Sequence, residues 1–172
     1  VAHTLNSWGL FLSRNNDMID AKKAYEEAIL INTLLSDKQP DVYLPFLATN
    51  LNNLANLLFA QNDIITAKKH YEKALQINRD FGQKEPDLYL PVIGTSLINL
   101  GLLLESQKEN HNASQLFEEA LQIYRQLVKK NPDKYMPVLA MSLNVFGNFL
   151  QRQNEMSAAR QSFEEALSIN RK

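Results

Sequence analysis

Apolar residues recur along the chain at steps of three and four, the spacing that lines one face of a helix. Leu51, Leu54, Leu57 and Leu58 form one such run. After a polar break at Gln61-Asn62-Asp63, a second run carries Ala67, Tyr71, Ala74 and Ile77. Asn62 or Asp63 can cap that second run by accepting the N–H groups its first turn leaves free. Pro86 and Pro91 lack an amide donor and clash with a preceding helical turn, so they predict a connector and the first turn of the next helix. The same grammar predicts helices at about residues 2–14, 17–36, 43–60, 63–82, 89–106, 110–129, 135–152 and 155–171.

The pattern repeats. Pro40, Pro86 and Pro132 recur every 46 residues, and Pro45, Pro91 and Pro137 recur with them. Each pair frames one motif: Pro40-Asp-Val-Tyr-Leu-Pro45, Pro86-Asp-Leu-Tyr-Leu-Pro91 and Pro132-Asp-Lys-Tyr-Met-Pro137. Leu5, Leu51, Leu97 and Leu143 keep the same beat, as do Ala28, Ala74, Ala120 and Ala166. The chain therefore reads as four copies of one unit, at about residues 1–39, 40–85, 86–131 and 132–172, the first without its proline segment. Each copy is a helix A, a tight turn, a helix B and a connector. The chain begins at Val1, which suggests a piece of something longer.

Two features of each copy carry a family resemblance. Helix A holds a large apolar residue followed by Gly or Ala: Trp8-Gly9, Leu54-Ala55, Leu100-Gly101 and Phe146-Gly147. Helix B holds an Ala–aromatic–Ala series: Ala21-Tyr25-Ala28, Ala67-Tyr71-Ala74, Ala113-Phe117-Ala120 and Ala159-Phe163-Ala166. The unit resembles the tetratricopeptide repeat (TPR), and the resemblance covers nearly the whole chain. It implies an all-α fold, a right-handed α-solenoid of four antiparallel helix-turn-helix units with eight helices, forming a single array over 1–172. The usual repeat is 34 residues long. The extra length is expected in a longer helix B and the proline connector, as in the long-repeat branch that includes kinesin light chains.

The resemblance also implies a protein- or peptide-binding scaffold, because stacked hairpins bury a continuous core and leave the inner face of helix A free. The positions around the helix A landmarks hold Asn6 in copy one, Asn52, Asn53 and Asn56 in copy two, Asn99 in copy three, and Asn144 and Asn148 in copy four. An Asn amide both donates and accepts, so a row of them can hold the backbone of an extended peptide. Two other readings stay open: hydrogen bonds between adjacent A helices, and a compositional bias toward Asn. Arg14, Phe59, Glu105 and Arg152 fall at the edge of the same surface. None of the inner positions is Lys or Arg, so a clamp for a C-terminal carboxylate is not expected.

Composition narrows the field further. Formal net charge is −1 and basic residues form no stripe, so neither nucleic acid nor an anionic membrane is an expected partner. There are no cysteines, and no continuous apolar run approaches the length of a membrane span. A cytoplasmic protein is expected, with no cofactor, no metal and no catalytic activity. His3, His70 and His111 fall at different positions of their copies and read as surface residues. The recurring Glu26-Glu27, Glu118-Glu119 and Glu164-Glu165 read as a solvated face of helix B. Two other roles remain: a spacer that self-associates through uncapped terminal repeats, or a regulatory arm of a larger protein.

Overall fold

A computed structural model describes residues 1–171. The described residues form eight helices and no strand: α1 (Ala2–Arg14), α2 (Met18–Ser36), α3 (Pro40–Ala60), α4 (Ile64–Lys84), α5 (Pro86–Ser106), α6 (Asn110–Lys130), α7 (Pro132–Arg152) and α8 (Met156–Asn170). Odd-numbered helices are the A helices and even-numbered ones the B helices.

Helix α1 starts where the sequence predicts, whereas α3, α5 and α7 start three residues earlier. Pro40 and Pro132 open their helices at the first turn, where a missing N–H costs nothing. The residues before the prolines are held extended, as proline requires: Gln39 has φ −140° and Asn131 φ −145°. Pro45, Pro91 and Pro137 lie inside the helices, against expectation. The carbonyl that Pro45 leaves without a helical donor belongs to Asp41, the second residue of α3, which is exposed. Solvent can satisfy it there, so the proline is tolerated so near the helix start. The 12 residues beyond the usual repeat therefore lengthen both helices: α3 and α4 have 21 residues each, and Glu85 alone joins α4 to α5.

The A-to-B turn is built the same way four times. Asn62 sits in the left-handed region at φ 64°. Its N–H donates to Phe59 O (3.0 Å), and the Asp63 N–H reaches back to Leu58 O (2.9 Å). This pair of bonds is the Schellman stop, which satisfies carbonyls that a helix end leaves open. Asp63 then caps α4 by accepting from the Thr66 N–H. Asn16, Lys108 and Asn154 occupy the same left-handed slot in the other turns.

Two compact units divide the chain at Tyr89/Leu90. In Val1–Tyr89 the fully buried side chains include Tyr25, Tyr71, Leu47, Leu51 and Leu58. In Leu90–Lys172 they include Phe117, Tyr124, Phe149, Leu97 and Leu143. The Gly–aromatic pairing explains the motif. A Cβ at Gly101 would stand 2.7 Å from the Phe117 ring, and one at Gly9 or Gly147 would meet Tyr25 or Phe163 as closely. Glycine costs a helix interior about 1 kcal/mol relative to Ala, and close packing of A on B offsets it. Tyr124 repeats the device higher in the α5–α6 hairpin, where it faces Gly94 and bonds to Thr95 Oγ1 (2.9 Å) and Pro91 O (3.2 Å).

Helix α5 contains a stretch long and apolar enough to cross a membrane by length and composition. Half of that stretch is buried within the protein, including Leu97, Leu100 and Leu103, so its apolar residues also serve the core.

Candidate functional site

The seven asparagines of the A helices divide into groups. In the first unit, Asn53 Nδ2 donates to Asn6 Oδ1 (2.8 Å), joining α3 to α1. Asn56 Oδ1 accepts from the buried Tyr71 hydroxyl. Burial raises the Tyr71 pKa well above its ordinary value, so the phenol stays protonated and able to donate. Asn52 is half-buried and not free; the same holds for Asn99 in the second unit. Asn144 and Asn148, one turn apart on α7, are exposed, and neither makes a hydrogen bond among the described residues. Met141, the turn before, is 70% exposed. The α7 surface thus offers two amides and a thioether to solvent.

The edge residues also separate. Arg152 and Glu105 form a bidentate pair between α7 and α5, with Nη2–Oε2 at 2.9 Å. Glu105 is largely covered, and its hydrogen bond pushes the Arg152 pKa further up. Arg14 is exposed and Phe59 half-buried. Residues 6 and 53, like 105 and 152, are 47 apart: the repeat length plus one. That spacing, searched for complementary side chains, would have revealed both pairs from the sequence.

Between the B helices lies a feature the sequence did not suggest. In the second unit a cavity of about 390 Å³ opens between α6, α7 and α8. Buried Leu121 and Leu150 line it with half-buried Phe146, and Glu118, Glu155 and Glu165 stand around it. Arg125 crosses to Glu165 in a second bidentate pair, Nε–Oε1 3.2 Å and Nη2–Oε2 2.8 Å. The paired glutamates are therefore not all solvated, since Glu119 and Glu165 are half-buried. His70 is only partly at the surface: it is half-buried on α4, in the field of Glu26 and Asp63. Burial first, then Lys73, lowers its pKa. His3 and His111 are exposed. Among the described residues no group of three His, Asp or Glu side chains could hold a metal ion.

The profile of the tetratricopeptide repeat matches residues 46–126 and, overlapping, 92–172. The chain belongs to the tetratricopeptide repeat family. TPR proteins are helical-repeat scaffolds for protein interaction, and Gly9, Gly101 and Gly147 of this TPR chain pack on the helix B aromatics as that motif requires. No curated protein sequence matches it. Among solved structures, BtubC (BKLC) from P. vanneervenii superposes with a TM-score of 0.80 at 21% identity, over 98% of this chain and 63% of its own. The apo form of RapI gives 0.80 at 17% identity, over 98% of this chain and 55% of its own. Aspartyl phosphate phosphatase F from Bacillus subtilis gives 0.79 at 15%, over 99% and 40%. At such identities the likeness shows the fold alone. The TPR chain spans about two thirds or less of the length of these three.

Proposed function

We propose that this TPR chain is a protein-binding scaffold that receives an extended peptide segment on the exposed face of helix α7. The observation that carries the reading is the condition of Asn144 and Asn148. They are exposed and unbonded beside Met141, whereas Asn6 and Asn53 are spent on each other. Each amide can donate to and accept from a peptide backbone irrespective of sequence, at about 0.5–1.5 kcal/mol net per bond. Met141 adds an adaptable apolar contact. Val145, half-buried, and Leu102 on α5 extend the surface.

Screening the chain against a peptide library and repeating the screen with Asn144→Ala/Asn148→Ala tests this. Loss of binding by tenfold or more, with thermal unfolding unchanged, is the expected result. Equal binding by the double variant sinks the reading. The earlier candidates Asn52, Asn56 and Asn99, and the edge residues Arg14 and Phe59, enter the same screen as single alanine variants with smaller expected losses.

One observation favours a second reading, self-association. Trp8 and Phe11 stack on each other (5.2 Å) and are 51% and 54% exposed, while Leu54 and Leu57, at the same repeat positions in α3, are buried. An exposed aromatic pair at positions otherwise used for stacking suits another helix hairpin. Sedimentation across a hundredfold concentration range, with Trp8→Ser/Phe11→Ser as control, decides it. A mass that stays monomeric throughout removes this reading.

A further inference from the structure

We propose that the cleft between helices α6 and α8 binds a single lysine or arginine side chain presented by an extended segment of a partner protein. The proposal concerns the B helices and is independent of the α7 surface above. The cleft is amphipathic in a particular order. Its apolar part is made by Leu121, Leu150 and Phe146, and its carboxylates are Glu118, Glu155 and Glu165. Arg125 answers Glu165. Glu118 accepts one hydrogen bond, from Ser114 Oγ, and Glu155 makes none with its side chain. Among the described residues, two carboxylates therefore face the opening without a cationic partner. A lysine or arginine matches this layout, because its methylene stem covers apolar surface while its head group stays with the charges. The volume of about 390 Å³ falls within the range of sites that hold small groups.

The repeat supplies a second argument, since the first unit carries a basic residue at the matching position. Counting back two repeats, Glu118 becomes Glu26, Glu155 becomes Asp63 and Ser162 becomes His70. His70 sits half-buried in the field of Glu26 and Asp63. There the chain places its own nitrogen base in the field of both carboxylates. In the second unit the imidazole is replaced by Ser162, a buried residue whose hydroxyl turns back to Ala158 O (3.1 Å). The carboxylates remain and the basic residue beside them is gone. A partner's basic side chain restores the arrangement the first unit makes internally.

The test is an amide-detected NMR titration of the chain with the tripeptide acetyl-Gly-Lys-Gly-amide, and with the same peptide carrying norleucine. Saturable shifts confined to the amides of Glu118, Leu121, Ala158 and Ser162 are expected, with the norleucine peptide at least fivefold weaker. Ser162→His, which returns the first unit's plug, is expected to weaken lysine-peptide binding tenfold. Glu118→Gln/Glu155→Gln, which alters no packing, is expected to weaken it about fivefold and to remove its salt dependence. Norleucine binding as well as lysine, shifts scattered over other surface carboxylates, or an undiminished response in the carboxamide variant overturns the proposal. Spermidine binding the same amides as tightly as the peptide overturns the assignment to a protein segment.

Discussion

The two units join neighbouring A helices with different chemistry at the same repeat positions. In the first unit, Asn6 on α1 and Asn53 on α3 share a hydrogen bond. Two repeats on, the same positions hold Ile98 on α5 and Val145 on α7, both half-buried. The second unit instead gains an ion pair at the helix ends, Glu105 with Arg152, where the first unit has Ser13 and Ala60. The fold demands only that helices A be held side by side. It accepts a neutral amide pair, an apolar contact or a charged clasp for the purpose. An asparagine at a landmark position is therefore not by itself a sign of a ligand. What distinguishes Asn144 and Asn148 is that no neighbour uses them.

The largest expected effect probes what the two units share least visibly, the Gly–aromatic contact. The first unit has Ala55 where the second has Gly147, and its Tyr71 ties its hydroxyl to Asn56. The second has Gly101 against a buried Phe117 ring that meets the Phe149 ring at a tilt (5.2 Å between centroids, 55° between planes). Gly101→Val forces that ring to move, so it should cost about 3 kcal/mol. Hydrogen exchange should show the second unit opening first. An equal loss of protection in both units would mean they melt as one body and that the comparison has no energetic content.

Next come the clasps themselves. Glu105→Ala strips Arg152 of its partner and should cost about 1 kcal/mol, since Arg152 is more than half exposed and solvent takes up much of the loss. That cost should shrink at 1 M salt. Asn6→Ala should also cost about 1 kcal/mol, by leaving the part-buried Asn53 amide unpaired, but with no salt dependence. The exchange Asn6→Ile/Asn53→Val, which copies the second unit into the first, should be close to neutral, because removing both partners leaves nothing unsatisfied. Denaturant melts at two salt concentrations separate these three outcomes.

Much of this fold was legible in the sequence because it depends on local rules repeated four times. The helical period and the capping Asp63 are satisfied within a few residues of chain, and the Gly–aromatic motif within one helix hairpin. The early start of α3, α5 and α7 was not legible. A proline six residues into a helix reads as a breaker unless the carbonyl it deprives, that of Asp41, is known to be exposed. Side-chain pairing between copies was hidden for another reason. It depends on a 47-residue offset, not the 46 that the eye follows. The cleft at Ser162 became visible only when the place of His70 was known.

His70 adds a pH dependence that Ser162 cannot. Its pKa lies below the ordinary value, chiefly through burial, so the folded state binds its proton less readily than the unfolded chain does. The contribution is fully present above the unfolded pKa of about 6.5 and is lost as pH falls through that value toward the lowered one. Thermal stability of the first unit should therefore decline from pH 7 to pH 5. His70→Ser, which copies the second unit, should flatten that decline. A decline that persists unchanged in the variant would place its origin elsewhere.

The smallest effect tests the turns, where one copy departs from the other three. Asn16, Asn62 and Asn154 occupy the left-handed slot that ends each A helix, and Lys108 occupies it after α5 at φ 61°. In that region a Cβ crowds the following carbonyl, and Asn tolerates it better because its short polar side chain can bond locally. Lys has no such compensation, so Lys108→Asn should stabilise the second unit by about 0.5 kcal/mol and Lys108→Gly by about as much. The reverse change, Asn62→Lys, should cost the first unit a similar amount. If the two changes fail to mirror each other, the turns are not equivalent, and the hydrogen bonds that close them, Asp63 N–H to Leu58 O and Glu109 N–H to Leu104 O, do not carry equal weight.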